Sequence, residues 1–159
     1  MRTGVGGLVN VNIQGLRDKK QKVILARFCR NVCLALPRLR KNGEISFIFL
    51  PGERIRKVNR KYLNHDCDTD VISFSYPLDP SHGEVQPLGD IYISMDMAKR
   101  QAMKGKCKVV QELALYSLHG LLHLVGYDDH SPNDRRIMFA KQTKIFRKVS
   151  PRLAPPDFR

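Results

Sequence analysis

Apolar and polar residues alternate along Leu8–Gln14 (L-V-N-V-N-I-Q), the period of a strand with one buried face, and Gly15 closes the run. The alternation returns over Glu44–Leu50, where Ile45, Phe47 and Phe49 face one way after a turn at Asn42-Gly43. Val71–Tyr76 is β-branched and aromatic, and Gly89–Ser94 alternates again, so a third and a fourth strand are expected. Between these runs the period lengthens to that of a helix. Val23, Ile24, Phe28, Val32 and Leu36 predict a helix that Asp18 caps and Pro37 closes. Pro51 opens a shorter one reaching Tyr62, with Ile55, Val58 and Tyr62 inward, and Asp96 opens another that falters near Gly105. Val110, Leu113, Leu118, Leu121, Leu122 and Val125 predict a helix over Val109–Val125, stopped by Gly126. Ser131-Pro132-Asn133-Asp134 supplies a cap, a proline at the first helical position and an acid. That starts a last helix whose core candidates are Ile137, Met138, Ile145 and Val149. Pro77–Pro87 is a polar loop long enough to border a substrate groove, and the Pro-rich Pro151–Arg159 is expected to fray.

Strands and helices mixed in this order, without a glycine-rich phosphate loop or a long βα alternation, define an α+β fold. The expected architecture is a single domain over residues 1–150, with the tail at 151–159. One sheet of about four strands carries helices packed against it, the histidine-bearing helix central. A chain of 159 residues can bury one proper core, and its 42% hydrophobic and 27% charged composition is that of a soluble globular protein. No apolar run reaches the length of a membrane span, and no apolar stretch with a cleavage site follows Arg2, so a cytoplasmic protein is expected. Cys29, Cys33, Cys67 and Cys107 contain no C-x-x-C. Cys29 and Cys33 share a helix face as small buried hydrophobes, and no disulfide is expected.

Charge narrows the partner. The chain carries a net +13, divided as +12 over residues 1–63, −7 over 64–97 and +8 over 98–159. A basic shell around an acidic middle suits a polyanion outside and a cation-friendly site within, so nucleic acid is favoured over charge kept for solubility. Lys19, Lys20, Lys22, Arg27 and Arg30 lie mostly off the apolar stripe of the first helix, with Arg38, Arg40 and Lys41 beyond it. Arg54, Arg56, Lys57, Arg60 and Lys61 form the outer face of the second, open to phosphate.

The candidate chemistry sits in Ser117–His130 (S-L-H-G-L-L-H-L-V-G-Y-D-D-H). His119 and His123 stand slightly more than one helical turn apart, so both imidazoles leave the same face and can share one ion. Past Gly126 the chain can return His130 as a third donor, leaving a fourth position open as in catalytic zinc sites. His65 and His82 have no ligand-like spacing.

These residues carry a resemblance. H-G-L-L-H-L-V-G-Y-D resembles the signature of the YbeY proteins, bacterial metal-dependent endoribonucleases of ribosomal RNA maturation. T-D-V-I-S-F at Thr69–Phe74 and L-G-D-I-Y-I-S at Leu88–Ser94 look like that family's strand motifs, and the resemblance runs from Leu8 to Val149. It implies the same α+β layout and a single-strand-specific metallo-endoribonuclease that matures the small-subunit rRNA 3′ end and serves ribosome quality control. It also implies one zinc ion per chain, held by His119, His123 and His130, with RNA and ribosomal proteins as partners. Two positions depart from the family pattern. The usual third histidine directly follows Gly-Tyr-Asp, whereas here Asp129 stands there and His130 comes one later. Asp129 is thus a rival ligand. A third imidazole leaves the ion more positive, which favours His130, with Asp129 turned to solvent or bonded in the turn. Most members also have an arginine where this chain has Leu63, which leaves Arg60 and Lys61 as the candidate RNA-binding substitutes.

Asp70, Asp90 and Asp128 are carboxylates that could orient the ligands from behind. Two other activities compete. A metzincin-like site helix also belongs to zinc proteases, but these need a glutamate beside the first histidine, and Gly120 stands there. A ribosome-assembly factor that binds RNA without cutting it is the remaining alternative.

Overall fold

The computed structural model describes residues 9–39, 43–79, 81 and 85–156. Leu8, Arg40, Lys41, Asn42 and His82 lie outside them, as does the end of the tail. Four strands, β1 (Val9–Gln14), β2 (Gly43–Leu50), β3 (Val71–Ser75) and β4 (Gln86–Ser94), form one mixed sheet in the order β1-β2-β4-β3. The first three in that order are parallel, and β3 runs antiparallel to β4 at the edge. Parallel neighbours need long crossovers. Helix α1 (Lys19–Ala35) joins β1 to β2, and α2 (Gly52–Leu63) with β3 joins β2 to β4. Three further helices follow, α3 (Met95–Gly105), α4 (Val109–Leu124) and α5 (Pro132–Val149).

Strand β4 starts at Gln86, earlier than the alternation predicts, because Gln86 and Pro87 pair with Gly43 and Glu44. The register then shifts between Glu44 and Ile45, an irregularity that tolerates a proline without its N–H. The caps follow the sequence: Asp18 accepts from the amides of Lys20 and Gln21, and the Ser131 hydroxyl accepts from that of Asp134.

Helices α1 and α4 pack on each other and on one face of the sheet. The core there joins Ile45, Phe47, Phe49, Ile91 and Ile93 to Leu25, Phe28, Leu118 and Leu121. The buried stripe of α1 is Leu25, Phe28, Cys29, Val32 and Cys33, while the expected Val23 is 60% exposed and Ile24 is exposed too. The cysteines complete a stripe that aliphatic residues alone place too far round the helix. Ile137 and Tyr62 are likewise exposed, and Phe146 rather than Ile137 joins Met138 and Ile145 in the core.

Gly120 fixes how α4 lies. A Cβ there would meet Ile91 Cγ2 at 2.5 Å and Val71 Cγ2 at 3.0 Å, so its lack of a side chain lets the helix approach β3 and β4 closely. The Ser73 hydroxyl donates to the Gly120 carbonyl at 2.9 Å across the same contact. The histidines on either side of this anchor are thereby set at the sheet's β3 edge.

Candidate metal centre

Helix α4 presents His119 and His123 one turn apart, with ring centroids 4.6 Å apart and planes at 83°. Their Nε2 atoms lie 3.0 Å from each other. Two nitrogens bound to one tetrahedral ion at ordinary zinc distances would stand roughly 3.3 Å apart. The outer ring nitrogens explain the aim. His123 Nδ1 lies 3.0 Å from the Tyr127 carbonyl, which can only accept, so this nitrogen carries the proton. His119 Nδ1 lies 3.0 Å from Gln142 Oε1 on α5, again an acceptor. Both Nε2 lone pairs are therefore left to face the shared point. Burial, and then the neighbouring His119 ring, hold the His123 imidazolium below its ordinary range and favour this neutral form.

The chain beyond α4 sets which group stands beside the two imidazoles. Gly126 adopts a left-handed φ of +94°, its amide donates to the His123 carbonyl, and the Tyr127 amide donates to the Leu122 carbonyl at 3.0 Å. This is a close helix termination. Arg38 Nη1 donates to the Val125 carbonyl at 2.6 Å and holds the same turn from outside. The chain then brings the Asp129 carboxylate to 3.5 Å from His119 Nε2 and 3.8 Å from His123 Nε2. His119, His123 and Asp129 thus offer donor atoms that all lie within 4.8 Å of one another.

The expected third histidine stays outside this cluster. The His130 side chain is 87% exposed and pairs through Nδ1 with Asp128. That contact, first by hydrogen bonding and then by charge, raises the His130 pKa. The physical reason is register. The tight closure after Gly126 leaves no wider turn to absorb an extra residue, so Asp129 arrives where His130 was expected, and its neighbour faces away.

The carboxylates proposed to orient the ligands behave differently from one another. Asp128 accepts the Asp129 amide at 2.7 Å and so supports the loop. Asp70 lines a cavity of about 280 Å³ together with His119, Asp129, Glu112, Tyr116 and Gln142. Asp90 bonds the Tyr76 hydroxyl instead, on the other face of the sheet. The groups that orient the imidazoles are Gln142 and the Tyr127 carbonyl, neither of which sequence reasoning singled out. A glutamine among the apolar positions of α5, 3% exposed in the fold, was the available signal for the first. Arg60 and Lys61 lie in the exposed last turn of α2 rather than at the cluster, followed by the exposed Leu63.

Two imidazoles and a carboxylate, partly open to solvent, make a donor set that suits a divalent ion such as zinc with a coordination position to spare. On a four-stranded mixed sheet with a His-x3-His helix, this defines a candidate metal-binding site. Comparison with known proteins gives the family: that described as Endoribonuclease YbeY matches residues 12–150. The Endoribonuclease YbeY of Elusimicrobium minutum is 43% identical over 109 residues, covering 69% of this chain and 76% of that one. That of Thermoanaerobacter pseudethanolicus is 31% identical over 156 residues, covering 89% and 98%. A Thermotoga maritima protein solved in solution shares the fold with a TM-score of 0.60 at 23% identity, over 89% of each chain. The chain belongs to the YbeY family. Membership and the His/His/Asp cluster together support a metal-dependent, endoribonuclease-like activity.

Proposed function

We propose that the protein is a single-strand-specific endoribonuclease of ribosomal RNA maturation, with one zinc ion held by His119, His123 and Asp129. The observation that carries this reading is the convergence of both Nε2 atoms and the Asp129 carboxylate within 4.8 Å. When bound, the ion would supply Lewis acidity toward a phosphate oxygen and acidify water for attack on phosphorus. The chain's own residues prepare for it. Gln142 and the Tyr127 carbonyl hold the Nδ1 protons, so each Nε2 is the nitrogen turned toward the ion. Asp129 in place of a third imidazole lowers the charge of the loaded site by one, and the basic surface of a chain with net +13 compensates by attracting the RNA backbone. Arg60 and Lys61 belong to that surface.

Proteolysis is disfavoured by geometry. A glutamate at position 120 has no room, because its Cβ alone would meet Ile91 Cγ2 at 2.5 Å and Val71 Cγ2 at 3.0 Å. The alternative of a non-cleaving assembly factor is separated by one experiment, in which labelled single-stranded RNA is incubated with and without a chelator. Cleavage that disappears on chelation while RNA binding remains supports the nuclease. Binding without metal-dependent cleavage supports the assembly factor. Cleavage of precursor small-subunit rRNA near its 3′ end tests the substrate.

A further inference from the structure

The sheet has a second face, and it carries groups that the metal centre does not use. Ser73 and Ile91 point at Gly120 on α4, so by alternation Phe74 and Tyr92 project from the opposite side. There Phe74 meets Tyr62 of α2 edge-on at 5.5 Å and Tyr92 edge-on at 5.8 Å. Tyr76, one residue past β3, stays on this face and donates its hydroxyl to Asp90 at 2.8 Å. We propose that single-stranded RNA lies across this aromatic face, its bases stacking on Tyr62 and Tyr76, before passing around β3 to the metal centre. The proposal rests on the nuclease reading and adds where the strand docks.

Four observations point to this ligand. Tyr62 is 58% and Tyr76 41% exposed, more than anchoring α2 requires, since Ile55 and Ile72 are buried and Asn59 bonds the Cys67 carbonyl at 3.0 Å. Tyr62, Phe74 and Tyr92 meet edge to face, which leaves ring faces that stacked rings would have covered. Lys61 Nζ stands 5.0 Å over the Tyr62 ring, and Arg54, Lys57 and Arg60 are exposed on the same short helix. Aromatic faces interleaved with cations suit unpaired bases on a phosphate backbone, because every base has a π-face while a duplex hides its own. Topology supplies the last point. Among the described residues β3 is an edge strand, and Asp70, immediately before it, lines the cavity shared with His119 and Asp129. One short strand therefore borders both the aromatic face and the catalytic cavity. The acidic charge of residues 64–97 does not oppose this fully. Asp66 pairs with Arg56 at 2.8 Å, Asp68 with Arg100 at 3.2 Å, and Asp90 is held by Tyr76.

The test measures binding of a fluorescently labelled, uridine-rich RNA by the full chain in chelator, where cleavage cannot intervene. Replacing both rings (Tyr62→Ala with Tyr76→Ala) should weaken binding about tenfold or more. The Phe replacements at both positions, which keep the rings, should bind within about twofold of the parent. Zinc affinity should be the same in all forms. Iodouridine-substituted RNA photocrosslinked to the unmodified protein should attach at Tyr62 or Tyr76, a readout that needs no variant to fold. If the parent binds RNA, yet the Ala variant matches it and crosslinks map elsewhere, the aromatic face is not the docking surface and is left to a protein partner. If the parent binds no RNA at all, the nuclease reading itself fails.

Discussion

At the scale of single residues, Asp129 and Gln142 define what distinguishes this site. Asp129 lies within 4 Å of both imidazole Nε2 atoms (3.5 and 3.8 Å), whereas the His130 ring is in solvent. Asp129→Ala should therefore weaken zinc binding by about a hundredfold or more, beyond the usual effect of an outer partner, and His130→Ala by less than about threefold. Competition against a chromophoric chelator measures both, and the reverse ranking would return the site to His130. Gln142 touches only the far nitrogen of His119, so it is a positioning residue. Gln142→Leu should cost about 10- to 100-fold in zinc affinity, and Gln142→Glu, which still offers an acceptor, should recover most of it. Nitrogen-15 shifts of His119 without metal supply a second readout: the proton should leave Nδ1 in the Leu variant and stay there in the Glu variant. The His-x3-His pair was legible because helical spacing alone sets two side chains on one face. That Asp129 rather than His130 stands beside them was not. It depends on how the chain closes after Gly126, where the Tyr127 amide reaches back to Leu122, and charge preference among candidate ligands has no access to that geometry.

At the scale of elements, the alternating strands and the starts of α1 and α5 follow directly from period and cap chemistry, whereas α3 is capped by Ser94 rather than opened by Asp96, and the faces of α1 and α2 required tertiary contacts. On α1 the two cysteines substitute for aliphatic core residues. Burial pushes the Cys33 thiol up to about 12, and burial followed by the neighbouring Cys33 raises Cys29 further. Both thiols are thus almost entirely protonated near neutrality. A thiol reagent should label the exposed Cys67 promptly in the native protein and reach Cys29 and Cys33 only on unfolding. Prompt labelling of either would contradict their place under α4. The approach of α4 to the sheet offers a second test. Gly120→Ala inserts a methyl 2.5 Å from Ile91 Cγ2, an overpacking that should cost about 1–3 kcal/mol by denaturant unfolding. Because the histidines flank this residue, the displaced helix should also lower zinc affinity. A stable variant with full affinity would show that Gly120 does not set the helix position.

At the scale of the whole molecule, basic charge flanks an acidic middle along the chain. No helix among the described residues is long and apolar enough to cross a membrane. The basic segments lie before and after the acidic stretch 64–97, which contributes β3, β4 and the Asp70 end of the cavity. The metal cluster itself draws His119, His123 and Asp129 from the basic C-terminal segment, and the acidic stretch adds Asp70 to the cavity beside it. Each phosphate neutralised by Lys or Arg releases condensed counterions, so affinity for RNA should fall linearly in log–log form with salt. With roughly six contacts to single-stranded RNA, the loss between 50 and 200 mM salt is on the order of several hundredfold. Replacing Arg60 and Lys61 together by Ala should make that slope shallower by roughly one and a half units, at about 0.7 per contact, without altering zinc affinity. A slope near zero in the parent would show that the basic surface serves solubility and that RNA is held by contacts other than its phosphates. A normal slope unchanged in the double variant would move the phosphate path from α2 to the basic residues of α1 and α5.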